Sequence, residues 1–221
     1  LFIHDRLYLN PSALLLAFRE DRAYLQLCIH QYYKNIFLMY TYCMKLITAI
    51  NILDDFEASG RCVFRGRDLK KLLGDGSVSG FRATLRRLRA TGRLHAACRD
   101  VYVYKDGGAQ KAHLLESIAA NLRRGEVCYV SLESALAEYG VISQIPVDRL
   151  TVMTSGRSGE IRTPYGVLEF THSARTELEL LSRSIDVERP LRLASKEAAV
   201  GDLKRVGRNI HLLIEETADA I

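Results

Sequence analysis

The chain has 221 residues, 48% hydrophobic and 26% charged, with a net charge of +5. That is enough chain for one or two domains with a true core, and the composition excludes disordered, collagen-like and disulfide-dense classes. The charge is unevenly placed, at net +1 over residues 1–43, +6 over 44–108 and −2 over 109–221, which suggests a basic module for a polyanion joined to a near-neutral one. The five cysteines form no C-x-x-C pair and are odd in number. They argue against a structural zinc or a disulfide framework and fit a reducing cytoplasm, so no metal or cofactor is expected. No uninterrupted run approaches 18 apolar residues, so no membrane partner is expected. The start, LFIHDRLYLN, lacks the basic-then-apolar order of a signal peptide.

Residues 1–43 hold six of the eleven tyrosines and no glycine. Two readings stand: a helical N-terminal extension, or a non-native stretch upstream of a natural start at Met44, where the pattern becomes regular. From there ITAINILDDFEAS, with Ile47, Ile50, Leu53 and Phe56 at spacings of three, predicts a helix over 47–58 ended by Gly60. CVF is a short strand. GRDLKKLLG is a short helix closed by Gly74, and DGSVSG is a turn offering Ser77 or Ser79 as N-cap. SGFRATLRRLRATGRL is a helix running to Gly92, and RLHAACRDVYVY makes two strands around Cys98-Arg99-Asp100. This order of helix, strand, helix, turn, helix and hairpin is the winged helix-turn-helix layout, assigned to residues 44–106.

KDGGAQ at 105–110 reads as a linker, and 109–221 as a mixed α/β second domain. In it KAHLLESIAANLRRG and YVSLESALAEYGV predict helices, the latter with Ser131 as a capping hydroxyl. DRLTVMTSGRSGEIRTPYGVLEFTH predicts strands with turns at SGRSG and TPYG, and LRLASKEAAVGDLKRVG a final helix. The fold class expected is α+β.

The basic helix carries the functional argument. At 100° per residue Val78, Phe81, Leu85 and Leu88 share one face, with Arg82, Arg86, Arg89 and Arg93 in a stripe about 90° away. No acid lies in the stretch. A solvated charged face ordinarily mixes signs at i,i+4, whereas residues 61–105 carry net +9. A helix seated in a DNA groove needs one face for its own domain and a flank for phosphates and base edges. Ser77, Ser79, Arg82 and Arg86 are placed for base edges, and Arg87, Arg89, Lys70 and Lys71 for phosphates. Arg65 and Arg67 add to the basic face. Arg99 stands at the wing tip, with Tyr102 in the next strand.

No enzyme motif emerges. SGRSG around Ser158 is not G-x-S-x-G, and neither a P-loop nor G-x-G-x-x-G occurs. His172 is isolated; Asp148 and Glu169 flank strands as nuclease carboxylates would, but Glu169 is followed by Phe-Thr rather than by the nearby lysine of such sites. No catalytic residue is therefore assigned. Arg157, Lys196, Lys204 and Arg205 are candidates for a basic surface in the second domain, or for ordinary ion pairs with Glu133, Glu160, Glu197 or Asp202.

Four strings occur in order: Y-V-S-L-E-S-A-L at 129–136, Thr154, Gly156, Arg157 and Gly159 in a T-x-G-R-x-G turn, T-P-Y-G at 163–166, and A-S-K-E-A-A at 194–199. With the module upstream, they make the chain from about Met44 to Ile214 resemble the AbiEi antitoxins of bacterial type IV toxin–antitoxin systems. The resemblance implies a DNA-binding autorepressor acting on inverted repeats. It also implies that the second domain counters a nucleotidyltransferase toxin without a stable complex; Arg157, Lys196, Lys204 and Arg205 are candidates for an antitoxic surface by their chemistry alone, not by the resemblance. The alternative is a winged-helix regulator whose second domain senses a ligand or dimerises. A DNA-modifying or nuclease accessory protein is a third class.

Overall fold

The computed structural model describes residues 22–74, 77–105, 111–143 and 148–213. The extension before residue 22, the linker at 106–110, two residues of the DGSVSG turn and the end of the chain from 214 lie outside the described residues. By compactness the chain divides into Leu1–Ala49 and Ile50–Ile221. The helix expected at 47–58 is the last part of a longer one, α1, Arg22–Ala58. No Gly or Pro interrupts those 37 residues, and Gly60, at φ 86°, stops them. Tyr32, Phe37, Met39 and Tyr40 are exposed along its first unit. Within it, Ile29–Ala58 is long enough to cross a bilayer and holds an 18-residue window with a mean hydropathy of 1.6, a match by length and composition alone. A count of uninterrupted apolar residues does not register this, because Thr41, Lys45, Thr48 and Asn51 break the run without lowering the average far.

In the second unit, β1 (Val63–Arg65), α2 (Gly66–Leu73), α3 (Val78–Ala90), β2 (Leu94–Cys98) and β3 (Val101–Tyr104) follow in order. The strands form an antiparallel sheet ordered β1-β3-β2, with Val63 opposite Val103 and Leu94 opposite Tyr104. The alternating β-branched and aromatic run V-Y-V-Y suits such a strand: Val101 and Val103 are fully buried and Tyr102 is half-buried. Gly66 begins α2 directly after β1. Its N–H donates to the Asp100 carbonyl at 3.0 Å, and a Cβ there would lie 2.2 Å from the Asp100 carboxyl oxygen.

Ser77 is the N-cap of α3, its hydroxyl accepting from the Gly80 N–H at 3.0 Å. The inward face of α3 differs from the one expected. Thr84 and Leu88 are buried, Phe81 and Leu85 half-buried, and Val78 is 52% exposed. Replacing Val78 by Thr84 turns the centre of the buried face by about 30°, away from the arginines.

Residues 111–213 supply α4 (Leu114–Leu122), β4 (Cys128–Val130), α5 (Leu132–Glu138), β5 (Arg149–Thr154), β6 (Gly159–Thr163), β7 (Gly166–His172), α6 (Glu177–Ser182), β8 (Ser184–Ile185), β9 (Arg192–Ala194) and α7 (Lys196–Val206). The strands form a mixed sheet ordered β6-β7-β5-β4-β9-β8, in which β5 runs parallel to β7 and β4 to β9. Two local expectations change here. Tyr129 and Val130 belong to β4 rather than to a helix, and Arg192–Ala194 is a strand before the final helix. SGRSG does not close a hairpin, because β6 lies beyond β7 at the sheet edge. Helix α6 opens with a capping box, Thr176 accepting from the Glu179 N–H while Glu179 accepts from the Thr176 N–H at 2.7 Å.

The core is continuous across both sheets. Val63, Val101 and Val103 of the first belong to one buried cluster with Ile118, Tyr129, Val130, Met153 and Phe170. The described residues thus form a mixed α+β fold with two sheets.

Candidate nucleic-acid interface

Two classes of cation occur between residues 61 and 105. The first is consumed by structure. Arg61 pairs with Asp68 at 3.1 Å, Arg65 lies half-buried 3.8 Å from Asp100, and Arg93 lies 3.7 Å from Asp54. Lys105 reaches Asp54 at 2.8 Å and Glu57 at 3.4 Å. The Lys105 hydrogen bond is the largest influence holding Asp54 below the usual carboxylate range. Arg93 had been placed in the arginine stripe, but α3 ends at Ala90 and Gly92 turns the chain at φ 69°, so the helical angle no longer applies. Arg65 and Arg93 are therefore anchored cations.

The second class is open. Arg67, Lys70 and Lys71 on α2, Arg82, Arg86 and Arg89 on α3, and Arg99 in the β2–β3 turn are all exposed. None has an ion pair or side-chain hydrogen bond to a described residue. Helix α3 packs on both α2 and β2, which gives the open cations a rigid base. Arg87 is half-buried. Ser77 spends its oxygen on the cap, and Ser79 is exposed beside it. Tyr102 is half-buried and packs at Gly66.

The candidates of the second sheet are less uniform. Arg157 is exposed between β5 and β6. Lys196, Lys204 and Arg205 all stand on α7: Lys196 is half-buried beside Glu197, Lys204 is exposed, and Arg205 donates to the Ser173 hydroxyl at 3.4 Å.

Sequence reasoning missed the strongest polar cluster. Asp202, fully buried on α7, accepts hydrogen bonds from the Tyr129 and Ser131 hydroxyls, each at 3.0 Å, from Arg175 Nη1 at 3.0 Å and from Arg183 Nη2 at 2.9 Å. Ser131 stands at the N-cap of α5 without capping it, because its hydroxyl is turned to Asp202. Burial, reinforced by the Asp202 charge, pushes the Tyr129 phenol up to about 12. One signal was present: Asp202 follows the apolar Ala198 and Ala199 by four and three residues, which puts an acid on the buried face of a helix.

Of the residues weighed for catalysis, Glu169 and His172 have structural employment. Burial pushes the Glu169 carboxyl up, but Arg208 and Arg149 outweigh it and hold the group below the usual range. Asp148 lies apart in an exposed connection at φ 54°. His172 braces the SGRSG segment, its Nδ1 2.7 Å from the Gly156 carbonyl and its N–H donating to Ser158 at 2.8 Å. Among the described residues no three His, Cys, Asp or Glu side chains gather as metal ligands would. A cavity of about 390 Å³ is lined by Arg61, Cys62, Ser117, Asn121, Glu188 and Arg189. Its guanidinium groups are engaged, Arg61 by Asp68 and Arg189 by Glu116 and Glu138.

No protein-family model matches the chain, and no curated protein matches it. Among solved structures it is similar to the RV2827C protein from Mycobacterium tuberculosis, with a TM-score of 0.45 and 16% identity over 70% of this chain and 59% of that one. The chain thus spans less than two thirds of that protein's length.

Proposed function

We propose that the module from the end of α1 through β3 is a winged helix-turn-helix that binds double-stranded operator DNA with inverted repeats. In this reading α3 is the recognition helix, α2 the supporting helix and the β2–β3 turn the wing. The observation that carries it is the set of seven exposed cations on α2, α3 and the turn that no described acid neutralises. The protein spends Arg61, Arg65, Arg93 and Lys105 of the same segment on ion pairs, so the open ones stand out against a demonstrated supply of acids. A polyanion supplies the missing counter-charge. A mobility shift with duplex DNA from the upstream promoter tests this. With about 6–10 phosphate contacts, affinity falls roughly 10³-fold or more between 50 and 200 mM salt. Binding indifferent to salt would overturn the assignment.

The AbiEi resemblance extends the proposal to an antitoxin and autorepressor of a type IV toxin–antitoxin operon, without enzymatic activity of its own. Residues 109–221 then counter a nucleotidyltransferase toxin, with Arg157, Lys196, Lys204 and Arg205 as the basic groups available on that part. Co-expression with the neighbouring nucleotidyltransferase restores growth, and removal of 109–221 abolishes the rescue. Rescue by the first module alone would refute this half while leaving DNA binding intact.

A further inference from the structure

Val78 is the first residue of α3 and is 52% exposed. At 100° per residue it lies about 70° from the centre of the buried face formed by Phe81, Thr84, Leu85 and Leu88, and about 50° from the centre of the Arg82-Arg86-Arg89 stripe. It therefore stands at the boundary between the two faces, nearer the arginine stripe, and its exposure keeps it out of the core. Its neighbours Ser77 and Ser79 are exposed too, so the first turn of α3 presents one branched apolar group between two small polar ones.

The inference rests on the DNA-binding reading. The first turn of a recognition helix meets base edges in the major groove. The apolar group displayed on those edges is the C5-methyl of thymine. We propose that Val78 reads a thymine methyl, with Arg82 on a guanine of the same half-site. Four residues of helix rise about 6 Å, close to 2 base-pair steps of about 3.4 Å, so the thymine and the guanine lie about 2 base pairs apart. Val78 thus determines specificity, while the open cations of α2 supply affinity.

The test uses the full chain. Bound sequences are selected from a random duplex library, and each thymine of the selected site is then replaced by deoxyuridine, which removes only the methyl group. Wild-type protein loses about fourfold in affinity at one thymine per half-site, the weight of one buried methyl group. Val78→Ser binds the thymine and deoxyuridine sites alike. Lys71→Ala binds both more weakly but keeps the methyl preference. Should the wild type ignore every methyl, or should Val78→Ser keep the preference, the role of Val78 is refuted while DNA binding stands. Failure of the wild type to bind any duplex refutes the DNA-binding reading and this inference with it.

Discussion

Arg82 and Lys71 are both exposed and unpaired among the described residues, yet they stand on different helices and carry different expectations. Arg82 and Arg86 project from the second and third turns of α3, where in the DNA-binding reading a planar guanidinium can take guanine bidentately. Each change to Ala alters preference at one base position by about 1–3 kcal/mol. Lys71→Ala weakens binding to all sequences alike and lowers the salt slope by about 1. Binding-site selection with each variant separates the cases, and an unchanged specificity profile for both arginine variants would remove base reading from α3. Arg93→Ala, by contrast, leaves the selected sequence unchanged, because its guanidinium serves Asp54 and the Tyr104 hydroxyl. The sequence exposed the arginines but not their division of labour. An ion pair such as Arg93–Asp54 joins residues 39 positions apart, and no local spacing announces it.

At the level of elements, α2 is fixed by an acid in its own first turn. Asp68 accepts from Arg124 Nη1 at 3.1 Å and Nη2 at 2.8 Å, and from Arg61 at 3.1 Å. The Arg124 hydrogen bond is the largest influence holding its carboxyl below the usual range. A carboxyl depressed in the folded state stabilises the fold above its unfolded value, near 3.9, and loses that contribution as pH falls through the folded value. Asp68→Asn therefore lowers the urea midpoint at pH 7, and the gap to wild type closes as pH drops below about 4. A gap of constant size from pH 7 to pH 3 would rule out the ion pair as its source. Elements of this kind were legible wherever a period or a cap is local. The strands around Arg99-Asp100, the Ser77 cap and the Gly74 stop all stand where pattern placed them. Tyr129–Val130 and Arg192–Ala194 were absorbed into the helices that follow them, since a strand of three residues shows no periodicity. The edge position of β6 escaped for a different reason. A parallel β5–β7 pairing is a non-local choice, and the turn residues of SGRSG would look the same in a hairpin.

Across the whole of residues 50–221 one core serves two sheets, and Asp202 is its most demanding polar group. Its carboxylate is fully buried, yet four donors converge on it from β4, the residue before α5, the loop two residues before α6 and the residue before β8. Two of those donors are arginines that reach in from partly exposed positions. Removing the acid leaves two guanidinium groups and two hydroxyls without their shared acceptor, the kind of break that costs about 3–5 kcal/mol. Asp202→Ala is therefore expected to lose that much stability in urea unfolding. Because β1–β3 share the core of β4–β9, the loss should reach both sheets: amide exchange in Val101 and Val103 should rise along with that in Tyr129 and Val130. Exchange rising only in the second sheet would mean that the two sheets open independently. In that case the continuous core would not couple the cation-bearing helices to the buried acid, and the protein would be two folding units joined through a shared apolar boundary. Retention of both sheets' protection in Asp202→Asn, which keeps an acceptor at the same place, would assign the coupling to hydrogen bonding rather than to the buried charge.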